Sequence, residues 1–193
     1  MKNSAKKYLI FPILFLTICF SANSCKNNPT EQAKKELQVK PSEGFCTTHE
    51  FPNATWTFDK KNLPNGDIEL NKSLTMKGAF PNPDDYYDLT LIVDYYESVP
   101  IKRLPLDFTT ITPDGKSRQS RSVEVVFNTD SAKVIEEANA KKLKRFAQVI
   151  YPQKNYPEKG EFTFELYSKY TKISLDGIKA ISIKAVKNNP EKP

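Results

Sequence analysis

The chain has 193 residues, a length that suits one domain, and carries 29 Lys and Arg against 23 Asp and Glu. Three of the cations fall in the first 24 residues, so the remaining 169 residues hold 26 against 23, a charge of +3; so small and scattered an excess excludes a protein that tracks nucleic-acid phosphates. A single histidine and three cysteines exclude a histidine-based catalytic triad and a multi-histidine metal site within one chain.

Lys2, Lys6 and Lys7 open the chain, Leu9 to Phe20 follow as an apolar run interrupted by Pro12 and Thr17, and the small residues Ser21-Ala22-Asn23-Ser24 lead into Cys25. This is the layout of an export signal. The run is shorter than the ~20 residues a spanning helix needs, so it reads as a cleaved leader. Ala22-Asn23-Ser24-Cys25 resembles a bacterial lipobox, with Ala22 where Leu is usual. Cys25 is the expected lipidation site: a diacylglycerol on its thiol, cleavage before it and acylation of the new amine. The alternative is an ordinary secretory leader cut near Ala22. With Cys25 acylated and Cys19 inside the leader, Cys46 stays a free thiol; without acylation a Cys25 to Cys46 bridge becomes the rival.

Residues 25–44 read as a flexible tether, charged and nearly free of hydrophobes apart from Leu37 and Val39. Gln32 to Leu37 could make a helical turn or two, but nothing in the sequence supports a stable helix. A tether of this kind would hold the folded body some distance from lipid.

From residue 45 to residue 188, segments rich in aromatic and β-branched residues alternate with Pro, Gly, Asn and Asp, the pattern of an all-β domain. Thr48 to Phe58 places Trp56 and Phe58 on one side. Ile68, Leu70, Leu74 and Met76 share one parity after the turn at Leu63 to Asp67. Tyr86 to Glu97 sets Tyr87, Leu89, Leu91, Val93 and Tyr95 against Tyr86, Asp88, Thr90, Asp94 and Tyr96, and is the best candidate for a central strand. Leu104 to Thr112, limited by Pro100 and Pro105 to an edge or a bend, turns through Thr112-Pro113-Asp114-Gly115 into Ser117 to Phe127. Ala132 to Leu143, capped by Asp130 or Ser131, reads as the one convincing helix. Phe146 to Tyr151, Glu161 to Tyr170 and Leu175 to Lys187 complete the strands, and residues 189–193 form a disordered tail. Seven or eight antiparallel strands with one short helix are expected to form a jelly-roll-like β-sandwich.

The pairs Asp84-Asp85 and Glu136-Glu137 point apart on any regular element, whereas glycoside hydrolysis needs two acids facing one bond. With no glycine-rich phosphate loop, nucleophile elbow or Cys-x-x-Cys in the sequence, an enzyme is not expected, nor is a cofactor or a metal. Tyr86 and Tyr96, on the face turned from the core, are the candidate ligand-facing aromatics. Asp130-Ser131-Ala132 matches the three-residue O-glycosylation signal of exported Bacteroidetes proteins, which makes Ser131 a candidate modification site and equally a helix cap.

The lipobox, Phe51-Pro52-Asn53-Ala54-Thr55-Trp56, Tyr87-Asp88-Leu89, Thr112-Pro113-Asp114-Gly115, Lys159-Gly160-Glu161-Phe162-Thr163-Phe164 and Leu175-Asp176-Gly177-Ile178-Lys179-Ala180-Ile181 occur here in that order. Together they resemble the gliding-motility lipoprotein GldH family from about Phe51 to Lys187. The departure is Ser131 to Ile150, where a charged stretch replaces the family's Gly-rich, Trp-containing segment. The resemblance implies a non-enzymatic outer-membrane lipoprotein of Bacteroidetes-type cells, serving gliding and the linked protein secretion. Its partners would be the lipid bilayer, through acylated Cys25, and other envelope or gliding-machinery proteins, with no nucleic acid. Lys26-Asn27-Asn28 lacks the acidic residues of a surface-export signal, so a periplasm-facing anchor is expected. A glycan-binding envelope lipoprotein using Tyr86, Tyr96 and loop residues is the alternative.

Overall fold

The computed structural model describes residues 29–62, 64, 68–130, 132–138 and 141–190. In chain order these form α1 (Pro29–Leu37), β1 (Gly44–Glu50), a 3₁₀ turn (Pro52–Ala54), β2 (Thr55–Thr57), β3 (Asp59–Asn62), β4 (Ile68–Asn71), β5 (Ser73–Ala79), β6 (Tyr86–Tyr96), β7 (Arg103–Ile111), β8 (Arg118–Val126), β9 (Lys133–Ala138), β10 (Lys141–Asn155), β11 (Glu161–Ser168), β12 (Ser174–Asp176) and β13 (Ile178–Lys187). A five-stranded sheet runs β1-β13-β6-β10-β9 and a four-stranded sheet runs β5-β11-β7-β8, with β2–β12 and β3–β4 as small ribbons.

The alternation expected of Tyr86 to Glu97 is what places β6 at the centre. Tyr87, Leu89, Leu91, Val93 and Tyr95 are each fully buried against the second sheet, which presents Leu104, Leu106, Phe108, Phe162, Phe164 and Leu166. The all-β, sandwich-like architecture follows from this burial of two inner faces. The two main sheets together use nine strands, more than the seven or eight expected, because β9 is an additional edge strand.

That edge strand corrects one expectation. The described residues of the stretch expected as a helix, 132–138 and 141–143, are extended: Lys133–Ala138 is β9 and Lys141 opens β10, paired from Lys141 opposite Ala138 to Arg145 opposite Lys133. Local composition there favours helix, but pairing of β10 with β6 from Leu143 opposite Tyr96 onward outweighs that weak preference. A helix appears instead inside the stretch expected to be a tether. In α1, Pro29 occupies the first turn, Glu31 lies near the positive end of the dipole, and Lys34 and Lys35 lie near the negative end. Its Ala33 is buried against Ile135 and Leu143, with Tyr96 packed alongside. At the other terminus, within the stretch read as a tail, Asn189 is tied to the body through the Tyr86 amide and the Asp85 carboxylate.

Pro105 did not confine its strand to an edge. Strand β7 lies between β11 and β8. Pro105 pairs with Glu124 of β8 but turns its carbonyl to the other side, where it accepts from the Lys169 amide at 3.1 Å. That bond lies just past the last β11 register pair, Ser168 opposite Leu106, so the missing amide hydrogen falls at the end of the β11 ladder. On one side of the sandwich β1 approaches β5, where the Phe45 ring lies over Gly78 so closely that an added Cβ would clash with it. On the other side β10 slips register twice between Val149 and Lys154, and Gln153 takes a left-handed φ of 42°. These bulges carry β10 over toward β8, where the Arg121 guanidinium donates to the Ile150 carbonyl.

Candidate functional site

Cys25 and Ser131, the expected lipidation and O-glycosylation residues, lie outside the described residues. Tyr86 and Tyr96 stand at the first and last positions of β6. Ten steps of strand separate them by about 33 Å, too far for one sugar ring or a short chain of rings to bridge. Tyr86 is 40% exposed, whereas Tyr96 packs beside α1. Cys46 is half-buried on β1 and unpaired among the described residues, its pKa raised by burial. His49, at the same strand's far end, makes an edge contact with the Phe51 ring at 4.8 Å.

His49 borders a hollow of about 510 Å³ between the end of β1, the 3₁₀ turn and the start of β5. Its floor is Phe51, Trp56 and Leu74, with the Phe51 and Trp56 rings stacked at 5.4 Å. Thr57, Asp59 and Ser73 supply polar groups at the rim. The wall is a backbone held in an uncommon shape: Asn53 and Ala54 both adopt left-handed φ, 53° and 54°. For alanine that conformation costs on the order of 1–2 kcal/mol. Surrounding bonds hold it there. The Ala54 amide donates to the Phe51 carbonyl at 3.1 Å, the Gly177 amide to the Ala54 carbonyl at 2.8 Å, and the Thr55 hydroxyl to Asp176 at 2.9 Å. Among the described residues that line the hollow there is no Lys or Arg. Among the described lining residues Asp59 is the one carboxylate. Hydroxyl and imidazole groups above an apolar floor suit a neutral, hydroxylated molecule.

The second constellation joins α1 to the outer face of the five-stranded sheet. Asp94 and Arg145 face each other across β6 and β10, and both are more than nine-tenths buried. Arg145 donates to both Asp94 oxygens at 2.7 Å, the two-pronged arrangement that a guanidinium and a carboxylate permit. Its remaining nitrogen donates to the Ala33 carbonyl at 2.9 Å and to Glu36 at 3.1 Å. Burial works against the guanidinium charge, but the bonds to Asp94 and Glu36 outweigh it and raise the Arg145 pKa. Glu36 is held below the usual carboxylate range, first by the hydrogen bond from Lys133 and against a smaller burial effect. Lys184 closes the contact by donating to the Glu36 backbone carbonyl at 2.6 Å, at the helix end where cations are favoured. Beyond α1, Asp88, Thr90, Ala147 and Lys184 surround a shallower hollow of about 370 Å³.

Sequence reasoning did not assign Asp94, Arg145 and Glu36 a shared role. A signal existed in Asp94 itself, a carboxylate set between Val93 and Tyr95 in the most apolar strand of the chain. Among the described residues no group of three or more His, Cys, Asp or Glu side chains is placed to hold a metal ion. Among those residues, too, no helix is long and apolar enough to cross a membrane.

No protein-family model and no curated protein matches the sequence. Among solved structures, the chain is similar to the enzymatically active domain of bacteriophage CBA120 tailspike protein 4, with 8% identity and a TM-score of 0.23. That match covers 78% of this chain and 20% of the tailspike chain, so this protein spans about a fifth of the tailspike domain's length. A likeness of that size carries no argument about activity.

Proposed function

We propose that this chain is a lipid-anchored, non-enzymatic module of the outer membrane, periplasm-facing, which serves gliding motility and the associated protein secretion. One observation carries the anchoring: a basic, apolar, small-residue leader ends at Cys25, the residue type that receives the lipid. Two or more acyl chains turn marginal membrane contact into stable attachment. The gliding role rests on the ordered resemblance to the GldH family. Edge strands β8 and β9 offer backbone donors and acceptors to envelope proteins, which can add a strand there. The test is fractionation together with genetics. The wild-type protein should sediment with outer membranes and Cys25→Ala should become soluble, while a deletion strain should lose gliding and secretion. A Cys25→Ala protein that stays in the membrane fraction overturns the anchor. A deletion strain that glides and secretes normally overturns the role.

The hollow beside Trp56 favours a second reading, a glycan-binding envelope protein. Its hydroxyl-rich rim, with the Asp59 carboxylate as an acceptor, suits sugar hydroxyls. Trp56 is the one tryptophan of the chain, so its emission reports directly on this hollow. A saturable change on titration with neutral oligosaccharides, abolished by Thr57→Val with Asp59→Ala, supports the reading. No change up to millimolar sugar removes it.

A further inference from the structure

We infer that α1 holds the sandwich directly against the phospholipid surface, so that the body does not ride at the end of a long tether. The inference rests on the lipid at Cys25 proposed above. As a free tether, Cys25 to Gly44 would be nineteen steps long, with a typical end-to-end distance of about 24 Å and an extended reach near 68 Å. The helix removes most of that freedom. Its Ala33 is buried in the outer face of the five-stranded sheet, and its Glu36 is bonded to Lys133 and Arg145. The Ala33 and Glu36 backbone carbonyls are also taken, by Arg145 and Lys184. From Cys25 to Pro29, the first residue of α1, there are four steps, which reach at most about 14 Å. A lipid at Cys25 therefore keeps the N-terminus of α1 within that distance of the bilayer, and α1 is bonded to β9, β10 and β13.

The lipid-near part of the body is consequently α1 with the β9–β10 hairpin, and the four-stranded sheet is the far side. Charge on the near side is compatible with this placement. Lys34, Lys35 and Lys141 are exposed there and can meet headgroup phosphates. Strand β8, an edge of the far sheet, would then face the periplasm and its protein partners.

The test uses the full-length protein, purified with its lipid and reconstituted in phosphatidylcholine vesicles that contain a nitroxide-headgroup lipid. With Cys46→Ser as background, a fluorophore is attached through Lys141→Cys on the hairpin or Ser120→Cys on β8. Quenching at position 141 should exceed that at 120 several-fold. Insertion of twenty Gly and Ser residues between Asn28 and Pro29 leaves every described contact intact, and should lower quenching at 141 several-fold. Equal quenching at the two positions, or no effect of the insertion, in protein that carries incorporated palmitate overturns the placement alone. Absence of palmitate from the same preparation overturns the anchor and the placement with it.

Discussion

Removing the Asp94 carboxylate should cost far more than its distance to Arg145 alone suggests. The two side chains are 10% and 6% exposed and share two bonds of 2.7 Å. Asp94→Ala leaves a guanidinium under α1 without its main counter-charge, and breaking such a buried pair costs about 3–5 kcal/mol. Glu36 at 3.1 Å and the Ala33 carbonyl at 2.9 Å stay in place, which puts the expected loss near the lower end, about 3 kcal/mol. For a domain of this size that lowers Tm by roughly 6–12 °C. It also moves the urea midpoint down by about 1–3 M. Equilibrium urea unfolding followed by Trp56 emission reads the change. The internal control is Glu124→Ala, which removes a partner of Arg103 at the same 2.7 Å but with side chains 66% and 46% exposed. That change should cost under about 1 kcal/mol. The double variant Asp94→Leu with Arg145→Met should return to within about 1 kcal/mol of the wild type, since packed apolar residues replace a buried ion pair at little cost. If Asp94→Ala and Glu124→Ala prove equally mild, α1 does not shield the pair and the described clasp is wrong.

The buried hydroxyl of Tyr156 has no hydrogen-bond partner among the described residues, and its ring stacks on Phe80 at 3.9 Å. Tyr156→Phe should therefore be neutral or stabilising by up to about 1 kcal/mol in the same urea assay, and a clear loss would reveal a bond at that oxygen. Gly78→Val places methyl groups where the Phe45 ring lies, and should cost about 1–3 kcal/mol by overpacking the β1–β5 side, with a drop under 0.5 kcal/mol counting against that closure. The docking of α1 should also depend on pH. Glu36 has a lowered pKa in the folded protein, so its contribution is complete above the ordinary carboxylate value near 4.3 and is lost as pH falls through the lowered one. Hydrogen-exchange protection of the α1 amides should thus hold through neutral pH and fail below about pH 4, and failure between about pH 5 and 7 would assign the release to another group.

What could be read in advance was decided by neighbours close in sequence. The alternation of Tyr87 to Tyr95 gave β6 its buried face. Thr112-Pro113-Asp114-Gly115 became the β7–β8 turn, with the Thr112 hydroxyl bonded to Asp114 and Gly115 at a φ of 71°. The errors lie where distant residues decide. Ala132 to Leu143 has helical composition, but its hairpin is held by β6, some fifty residues earlier. Pro29 to Leu37 is too short to stand as a helix alone, and its stability comes from Arg145 and Leu143, more than a hundred residues away. The Trp56 hollow is likewise built from β1, the 3₁₀ turn and β5, which no local pattern brings together. Tyr86 and Tyr96 share a face by parity, but a shared parity does not make them neighbours.

The most direct test of the central claim is the intact mass of the mature protein extracted from outer membranes. A chain that begins at Cys25 and carries a diacylglyceryl thioether and an acylated amine is the predicted result. A chain that begins elsewhere, or one with an unmodified Cys25 thiol, contradicts the account.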